Sequence, residues 1–169
     1  DKLSGEWSDY PQTVVISDKT DKNAKGSNLN KLTPTSFTWT VSYQYGAGVD
    51  DKCSNSRIVA ITNNQVKEAT ASFTSGVSEY NGIKIACGST VSLSGTSPDG
   101  TGEGRWTIPA GVNFVNSTDT DEDITVTNLG KNKEAQFTWT ISREDGKGGK
   151  CTSSKTLTVK NMYYVAEIY

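Results

Sequence analysis

The segment Phe37-Thr38-Trp39-Thr40-Val41-Ser42 returns 100 residues later as Phe137-Thr138-Trp139-Thr140-Ile141-Ser142. In both copies, aromatic and aliphatic side chains alternate with threonine and serine. This period of two is typical of a β-strand that buries one of its faces. We therefore expect the phenylalanine and the tryptophan of each copy to lie in the core of a sheet rather than on a ligand-binding surface.

Three further landmarks repeat in the same order along the chain. Gly5-Glu6-Trp7 returns as Gly104-Arg105-Trp106, Cys53 as Cys151, and Ile58–Asn63 as Thr156–Asn161. Nearly constant spacing between the copies indicates a duplication with small changes in loop length. The predicted core comprises the repeated aromatic residues Trp7, Phe37, Trp39, Trp106, Phe137 and Trp139.

The remaining apolar segments are also short and alternating, as in Ile83–Ile85 and Val91–Leu93. Turn-forming clusters separate them, and no segment has a sustained apolar period of 3.6 residues. These features predict an all-β chain of two tandem immunoglobulin-like antiparallel β-sandwich modules. We place an incomplete first repeat at 1–66. The second repeat is placed at 67–169, with its sandwich core at about 80–161 and a C-terminal tail that leads to a next repeat.

The first repeat is shorter than the second at its beginning. It has no counterpart of the segments Ile83–Ala86 and Thr90–Gly95, which precede Trp106 in the second repeat. We therefore expect the first repeat to lack its opening strand. We also expect the chain to be a piece of a longer tandem array.

The composition excludes several classes of activity. The 169 residues include no histidine, which removes Ser-His-Asp triads, Cys-His dyads and zinc sites with histidine ligands. Lys+Arg of 17 against Asp+Glu of 19 gives a formal charge of −2, which argues against nucleic acid as a partner. No apolar stretch is long enough for membrane insertion. The turn acids Asp99 and Glu103 lack the apolar setting of a glycosidase pair, and we predict no enzymatic activity.

The cysteines are consistent with a disulfide in the second repeat. Cys87 precedes and Cys151 follows the tryptophan-bearing strands, at opposite sequence ends of a small sandwich. Such a pair is well placed to bridge the two sheets, and a hydrophobic content of only 33% suits an exported domain. Cys53 would then be unpaired, with its partner missing upstream of Asp1. The alternative is three buried, reduced thiols in a cytosolic protein.

The motifs of the second repeat follow one another in a characteristic order. They are Cys87, the T-x-x-L-x-G segment Thr90–Gly95, the G-x-W segment Gly104–Trp106, Thr125–Leu129, Phe137–Ile141 and Cys151. This order resembles the tandem immunoglobulin-like, PKD-like repeats of giant Bacteroidetes cell-surface proteins, among them the gliding-motility adhesins exported by type IX secretion.

The resemblance implies a non-enzymatic repeat segment, a stalk or adhesive module of a large adhesin. It implies an extracellular location at the bacterial cell surface. The partners would be neighbouring repeats of the same chain, and a surface polysaccharide or another cell-surface protein.

Two other functions remain open. Tyr43 and Tyr45 lie in a glycine-containing loop where the second repeat has Arg143 and Asp145, and exposed tyrosines beside glycine suit contact with a sugar or a protein. They favour a carbohydrate-binding module of a secreted hydrolase, although packing between domains is an alternative role for the pair. The tail Tyr164–Tyr169 would instead be donated to a neighbour's vacant sheet edge in a donor-strand filament or pilus-like subunit.

One acidic loop is a candidate calcium site. Asp119, Asp121 and Asp123 place carboxylates at alternate positions, as oxygen-rich calcium loops do. The loop is not an EF-hand, because Ile124 occupies the position that requires glycine. We expect a solvated loop, and no cofactor other than calcium has a candidate site.

Overall fold

The computed structural model describes residues 3–48 and 51–162 and divides the chain into two compact units, Asp1–Asn64 and Gln65–Tyr169. We call these unit 1 and unit 2. All regular elements within the described ranges are β-strands, so the predicted all-β class is confirmed. The described part of the chain contains no helix that could cross a membrane. The boundary expected after residue 66 lies two residues beyond the observed division.

Unit 1 contains five described strands. They are β1 (Leu3–Ser8), β2 (Val15–Ile16), β3 (Gly26–Ser27), β4 (Pro34–Gln44) and β5 (Lys52–Thr62). An antiparallel sheet has the order β1-β4-β5, and β2 pairs with β3 in a two-stranded ribbon.

Unit 2 contains nine described strands in two sheets. They are β6 (Ala71–Ser75), β7 (Val77–Tyr80), β8 (Ile83–Ala86), β9 (Val91–Gly95), β10 (Glu103–Thr107), β11 (Asn113–Phe114), β12 (Asp123–Thr127), β13 (Glu134–Glu144) and β14 (Lys150–Asn161). One sheet has the order β10-β13-β14-β8-β7 and the other the order β11-β12-β9-β6. All neighbouring strands are antiparallel except β8 and β14, which are parallel.

The strand order of unit 2 identifies its topology. In immunoglobulin constant-type domains, strands A, B, E and D form one sheet and strands C, F and G form the other. The orders β6-β9-β12-β11 and β10-β13-β14 reproduce these two sheets. The hairpin β7-β8 extends the second sheet beyond β14. Unit 2 is therefore an immunoglobulin-like sandwich with one added hairpin.

Alternating side chains form the core of unit 2. On β13, Phe137, Trp139 and Ile141 are completely buried, whereas the threonines between them are only partly buried. Val91 and Leu93 of β9 belong to the same core cluster from the opposite sheet. Burial of each such aliphatic side chain contributes about 1.5–3 kcal/mol, which makes the contact between the two sheets the main source of stability.

The five strands of unit 1 repeat the last five strands of unit 2. Trp7 lies opposite Trp39 in the β1–β4 register, as Trp106 lies opposite Trp139 in the β10–β13 register. The ring centroids are 4.9 Å apart in the first pair and 5.1 Å apart in the second. The strands β1, β4 and β5 thus correspond to β10, β13 and β14, and the ribbon β2-β3 corresponds to β11-β12.

The described strands of unit 1 include no counterpart of β6 to β9. The expectation of one missing opening strand therefore understates the difference, because four strands of unit 2 lack a described equivalent. One of them is β9, which supplies Val91 and Leu93 to the core of unit 2.

The motifs of unit 2 meet at one tryptophan. A Cβ atom at Gly104 would overlap the indole ring of Trp139, and a Cβ atom at Gly95 would lie 2.6 Å from it. The ring therefore fits only because both positions are glycine. The indole N–H donates a hydrogen bond to the Thr96 carbonyl at 3.1 Å. The G-x-W and L-x-G patterns thus provide the space that the F-x-W tryptophan fills.

Gly104→Ala should destabilise unit 2 by about 1–3 kcal/mol, because the added methyl group displaces the buried Trp139 ring. Urea unfolding measures the change in the free energy of unfolding. Gly88→Ala is the matched control, since a Cβ atom at Gly88 meets no other atom within 4 Å. Equal unfolding free energies for the two variants would contradict this role of Gly104.

Candidate functional site

The sheet of unit 1 has a largely apolar face that the described residues cover only in part. We call the side of β1, β4 and β5 that corresponds to the core-facing side of β10, β13 and β14 the open face. It includes the apolar side chains of Leu3, Trp7, Phe37, Trp39, Val41, Tyr43, Val59 and Ile61, with Cys53, Asn55 and Arg57 on the same side of β5. In unit 2 the side chains at most of these apolar positions belong to the core between the two sheets.

Burial differs at matched positions of the two units. Val41 is 37% exposed, whereas Ile141 is completely buried, and Ile61 is 44% exposed, whereas Val159 is completely buried. Phe37 is an exception at 4% exposed. Several large apolar side chains exposed on one face mark an interaction site more often than an ordinary solvated face.

An apolar groove of about 100 Å³ lies on the open face between the ribbon β2-β3 and the sheet. It is lined by Trp7, Ile16, Ala24, Gly26, Leu29, Phe37, Val59 and Ile61. For scale, an apolar cavity of about 150 Å³ binds benzene, so this groove suits aliphatic side chains.

Two small residues widen the groove. Gly26 holds the position of Val126, and Ala24, two residues earlier, holds that of Ile124. A Cβ atom at Gly26 would lie 3.9 Å from the Phe37 ring, which is ordinary contact, so close packing does not require glycine there. The substitution of Gly and Ala for Val and Ile therefore leaves space that unit 2 fills.

The two predicted ligand-contact tyrosines lie at the end of β4. Tyr43 is on the same side of the strand as Trp39 and is 50% exposed, and Tyr45 is 55% exposed. The Tyr45 N–H donates to the Asp51 carbonyl at 2.9 Å, and the Gln44 side chain donates to the carbonyls of two turn glycines. These bonds hold the backbone beside both tyrosines.

The position of Tyr43 is taken in unit 2 by Arg143, which is buried. Its guanidinium donates to the Gln65 carbonyl at 3.2 Å and to the Asp99 carboxylate at 2.7 Å. Partial burial raises the pKa of Asp99, but the hydrogen bonds from Arg143 and from the Lys67 N–H together lower it by more. The pKa of Asp99 therefore lies below its ordinary value. A carboxyl held ionised in this way is unsuited to donate a proton in a glycosidase pair with Glu103.

The predicted disulfide between Cys87 and Cys151 is wrong, because all three cysteines are free. Cys87 directly follows β8, whose end lies beside Asn161, whereas Cys151 lies at the start of β14. The intervening strand spans about 33 Å, and a bridge requires Cα atoms within about 7 Å. The prediction failed because it placed Cys87 by chain order and did not foresee that β8 lies beside the far end of β14. Cys53 is free and exposed.

Alkylation of the unfolded, unreduced chain should modify all three thiols, and reducing agent should leave the unfolding midpoint unchanged. Since Cys87 is exposed, Cys87→Ala should change the free energy of unfolding by less than about 0.5 kcal/mol. A loss of about 2–5 kcal/mol, the usual cost of removing a native bridge, would contradict the free-thiol state.

The carboxylates of Asp119, Asp121 and Asp123 in unit 2 do not converge on one point. Asp119 forms an ion pair with Arg105, and Asp121 accepts hydrogen bonds from the Thr118 N–H at 2.6 Å and from the Thr118 hydroxyl at 3.0 Å. Asp123 lies in β12. Within residues 3–48 and 51–162, no three Asp, Glu, Cys or His side chains are placed to hold a metal ion.

The aromatic residues expected in the core differ in burial between the units. Phe37, Trp106, Phe137 and Trp139 are buried, and Trp7 and Trp39 are half-buried. The tail Tyr164–Tyr169, named above as a donor strand, lies outside the described residues.

Sequence reasoning missed the groove. Its signal was a difference between the repeats, with Ala24 and Gly26 at the positions of Ile124 and Val126. Gly26 is part of a segment that resembles a turn more than a strand, so the difference does not stand out in the sequence.

No protein-family model and no curated protein matches the chain. Among solved structures, the extracellular cadherin domains 1–5 of protocadherin gamma B2 align with 99% of this chain and 34% of theirs, at 12% identity and a TM-score of 0.35. Domains 3–6 of the same protein align with 96% of this chain and 41% of theirs, at 10% identity and a TM-score of 0.34.

A SusE-like surface located polysaccharide binding protein from the Bacteroides thetaiotaomicron heparin utilisation locus aligns with 95% of this chain and 29% of its own, at 11% identity and a TM-score of 0.31. The chain thus spans well under half of the length of each of these structures. At such identities and TM-scores, the likenesses carry no argument about function.

Proposed function

We propose that the chain is a non-enzymatic repeat segment of a large bacterial cell-surface protein, acting outside the cell as a stalk or adhesive module like those of gliding-motility adhesins. The observation that supports this most strongly is the duplication, in which β1, β4 and β5 repeat β10, β13 and β14 with the same tryptophan pair. A chain that repeats one sandwich lengthens by adding units, which suits a tether. Its partners are neighbouring repeats of the same chain.

The chemistry of the side chains supports a non-enzymatic role. The chain contains no histidine. Asp145 accepts hydrogen bonds from the N–H groups of Lys147 at 2.7 Å and Gly149 at 2.9 Å, and these lower its pKa. The Asp99 carboxylate forms an ion pair with the Arg143 guanidinium. Carboxylates engaged in this way stabilise turns and are not poised for proton transfer.

The pairing of β8 with β14 suits unit 2 to resist a pulling force. Ile85 and Ala86 lie beside Lys160 and Asn161 in parallel register, and the Met162 N–H donates to the Ala86 carbonyl at 2.8 Å. Once β6 and β7 have detached, tension pulls β8 towards its start and β14 towards its end. The bonds between the two strands are then loaded in shear and break together.

Single-molecule force spectroscopy on the full chain, held by its two ends, tests the tether role. Ala86→Pro removes the backbone N–H that β8 directs at β14, on the residue whose carbonyl accepts from Met162, and should lower the unfolding force of unit 2. Gly104→Ala is the matched control, because it weakens the core without altering the β8–β14 register, and it should lower the force less. An unfolding force that Ala86→Pro leaves unchanged would contradict the proposal.

A second candidate function is carbohydrate binding at Tyr43 and Tyr45. The observation that favours it is their exposure at one end of the open face, on a backbone held by hydrogen bonds. Aromatic side chains offered in this way suit stacking against sugar rings.

Affinity electrophoresis against a panel of polysaccharides tests this candidate. At least one polysaccharide should retard the chain, and Tyr43→Ala or Tyr45→Ala should abolish the retardation. Tyr80→Ala is the control, because Tyr80 is 68% exposed but lies in unit 2. Unretarded migration with every polysaccharide would eliminate the sugar-binding role.

A further inference from the structure

In unit 2, β9 closes the core. It pairs antiparallel with β12, with Leu93 opposite Ile124 and Val91 opposite Val126. Val91 and Leu93 are each 1% exposed. One strand therefore supplies both backbone hydrogen bonds to the edge of β12 and aliphatic side chains to the core.

Unit 1 has the matching acceptor surface with no described strand on it. Among the described strands, β3 pairs only with β2, whereas both edges of its counterpart β12 are paired, one of them with β9. Beside the free edge of β3 lies the groove, where Val59 and Ile61 are 43% and 44% exposed. The Ala24 N–H donates to the Asp21 carbonyl at 3.0 Å, so the part of this edge without a described strand partner is at Gly26, and it adjoins the exposed apolar surface.

We infer that the open face of unit 1 binds an extended peptide strand with aliphatic side chains at alternate positions, antiparallel to β3. Its aliphatic residues lie opposite Ala24 and Gly26, as Leu93 and Val91 lie opposite Ile124 and Val126 in unit 2. The strand occupies the groove as β9 occupies the core of unit 2. This inference does not depend on the tether role.

Comparison with unit 2 favours a peptide strand over a second copy of the chain as the occupant of the open face. Two open faces packed together would cover apolar side chains but would leave the edge of β3 without hydrogen bonds. Unpaired backbone groups at a buried edge cost free energy, so such a dimer is the poorer solution. An extended strand covers the groove and pairs with the edge, as the structure of unit 2 demonstrates.

The small residues of the groove set the chemistry of the occupant. Because Ala24 and Gly26 replace Ile124 and Val126, the groove accepts side chains at least as large as the Val91 and Leu93 of β9. Val59 and Ile61 line it with aliphatic surface, so a charged side chain pointing into it would lose hydration without gaining a partner. The occupant is therefore a strand of β-branched and aliphatic residues spaced two apart.

The probe is a fluorescein-labelled peptide of residues 89–96, which contains β9, titrated with the full chain up to about 1 mM and followed by anisotropy. Saturable binding of one peptide per chain is expected. A control peptide that carries Val91→Ser and Leu93→Ser should bind at least about tenfold more weakly. Bound peptide should also slow amide hydrogen exchange at Gly26, whose N–H points away from β2.

Two substitutions in β5 test whether the peptide binds to the open face. Ile61→Lys puts a charge into the groove and should weaken binding at least about tenfold. Ile58→Lys is the matched control, since Ile58 is 73% exposed and lies on the opposite face of the same strand, and it should leave the affinity unchanged.

Three results would overturn the inference. They are the absence of saturable binding, equal affinity for the two lysine variants, and self-association of the chain that Ile61→Lys abolishes in sedimentation. The last would assign the open face to a second copy of the chain.

Discussion

The contact between a tryptophan indole and the glycine of a neighbouring strand organises both units. The Trp139 ring occupies the space where a Cβ atom of Gly104 would stand, and the Trp39 ring lies over Gly5 in the same way. Because the ring can occupy that space only in one register, the contact fixes how the paired strands align. It also brings the second tryptophan of each unit against the first. In unit 2 the contact continues across the sandwich, since Gly95 of β9 lies against the same ring.

Unit 1 keeps this contact, but its described strands include none in the position of β9. Its three-stranded sheet buries Phe37, with the Tyr10 ring at 5.8 Å, but it leaves Val41 and Ile61 exposed. The open face is the side of this sheet on which the described residues supply no counterpart of β9. Exposed apolar surface beside an unpaired edge favours association with another strand. The same physical requirement that closes unit 2 thus makes unit 1 receptive to a partner.

The sequence predicts those features that depend on short-range alternation. The period of two in Phe37–Ser42 and Phe137–Ser142 is enough to assign β4 and β13 and their buried faces. Pairing between distant strands is not encoded in that pattern. The parallel placement of β8 beside the end of β14 depends on the β7-β8 hairpin, and it separates Cys87 from Cys151. The groove was missed for a related reason, because β3 is two residues long and has no alternation of its own.

Amide hydrogen exchange of the full chain, measured residue by residue, tests most directly whether unit 1 has an uncovered sheet. The amides of Phe137 to Ile141 lie beneath a second sheet and should exchange only when unit 2 unfolds. The matched amides of Phe37 to Val41 have neighbouring strands but, among the described residues, only the two-stranded ribbon β2-β3 facing their sheet, and they should exchange at least about a hundredfold faster. Equal protection of the two segments would contradict this view of unit 1, because it would mean that its core is closed as completely as that of unit 2.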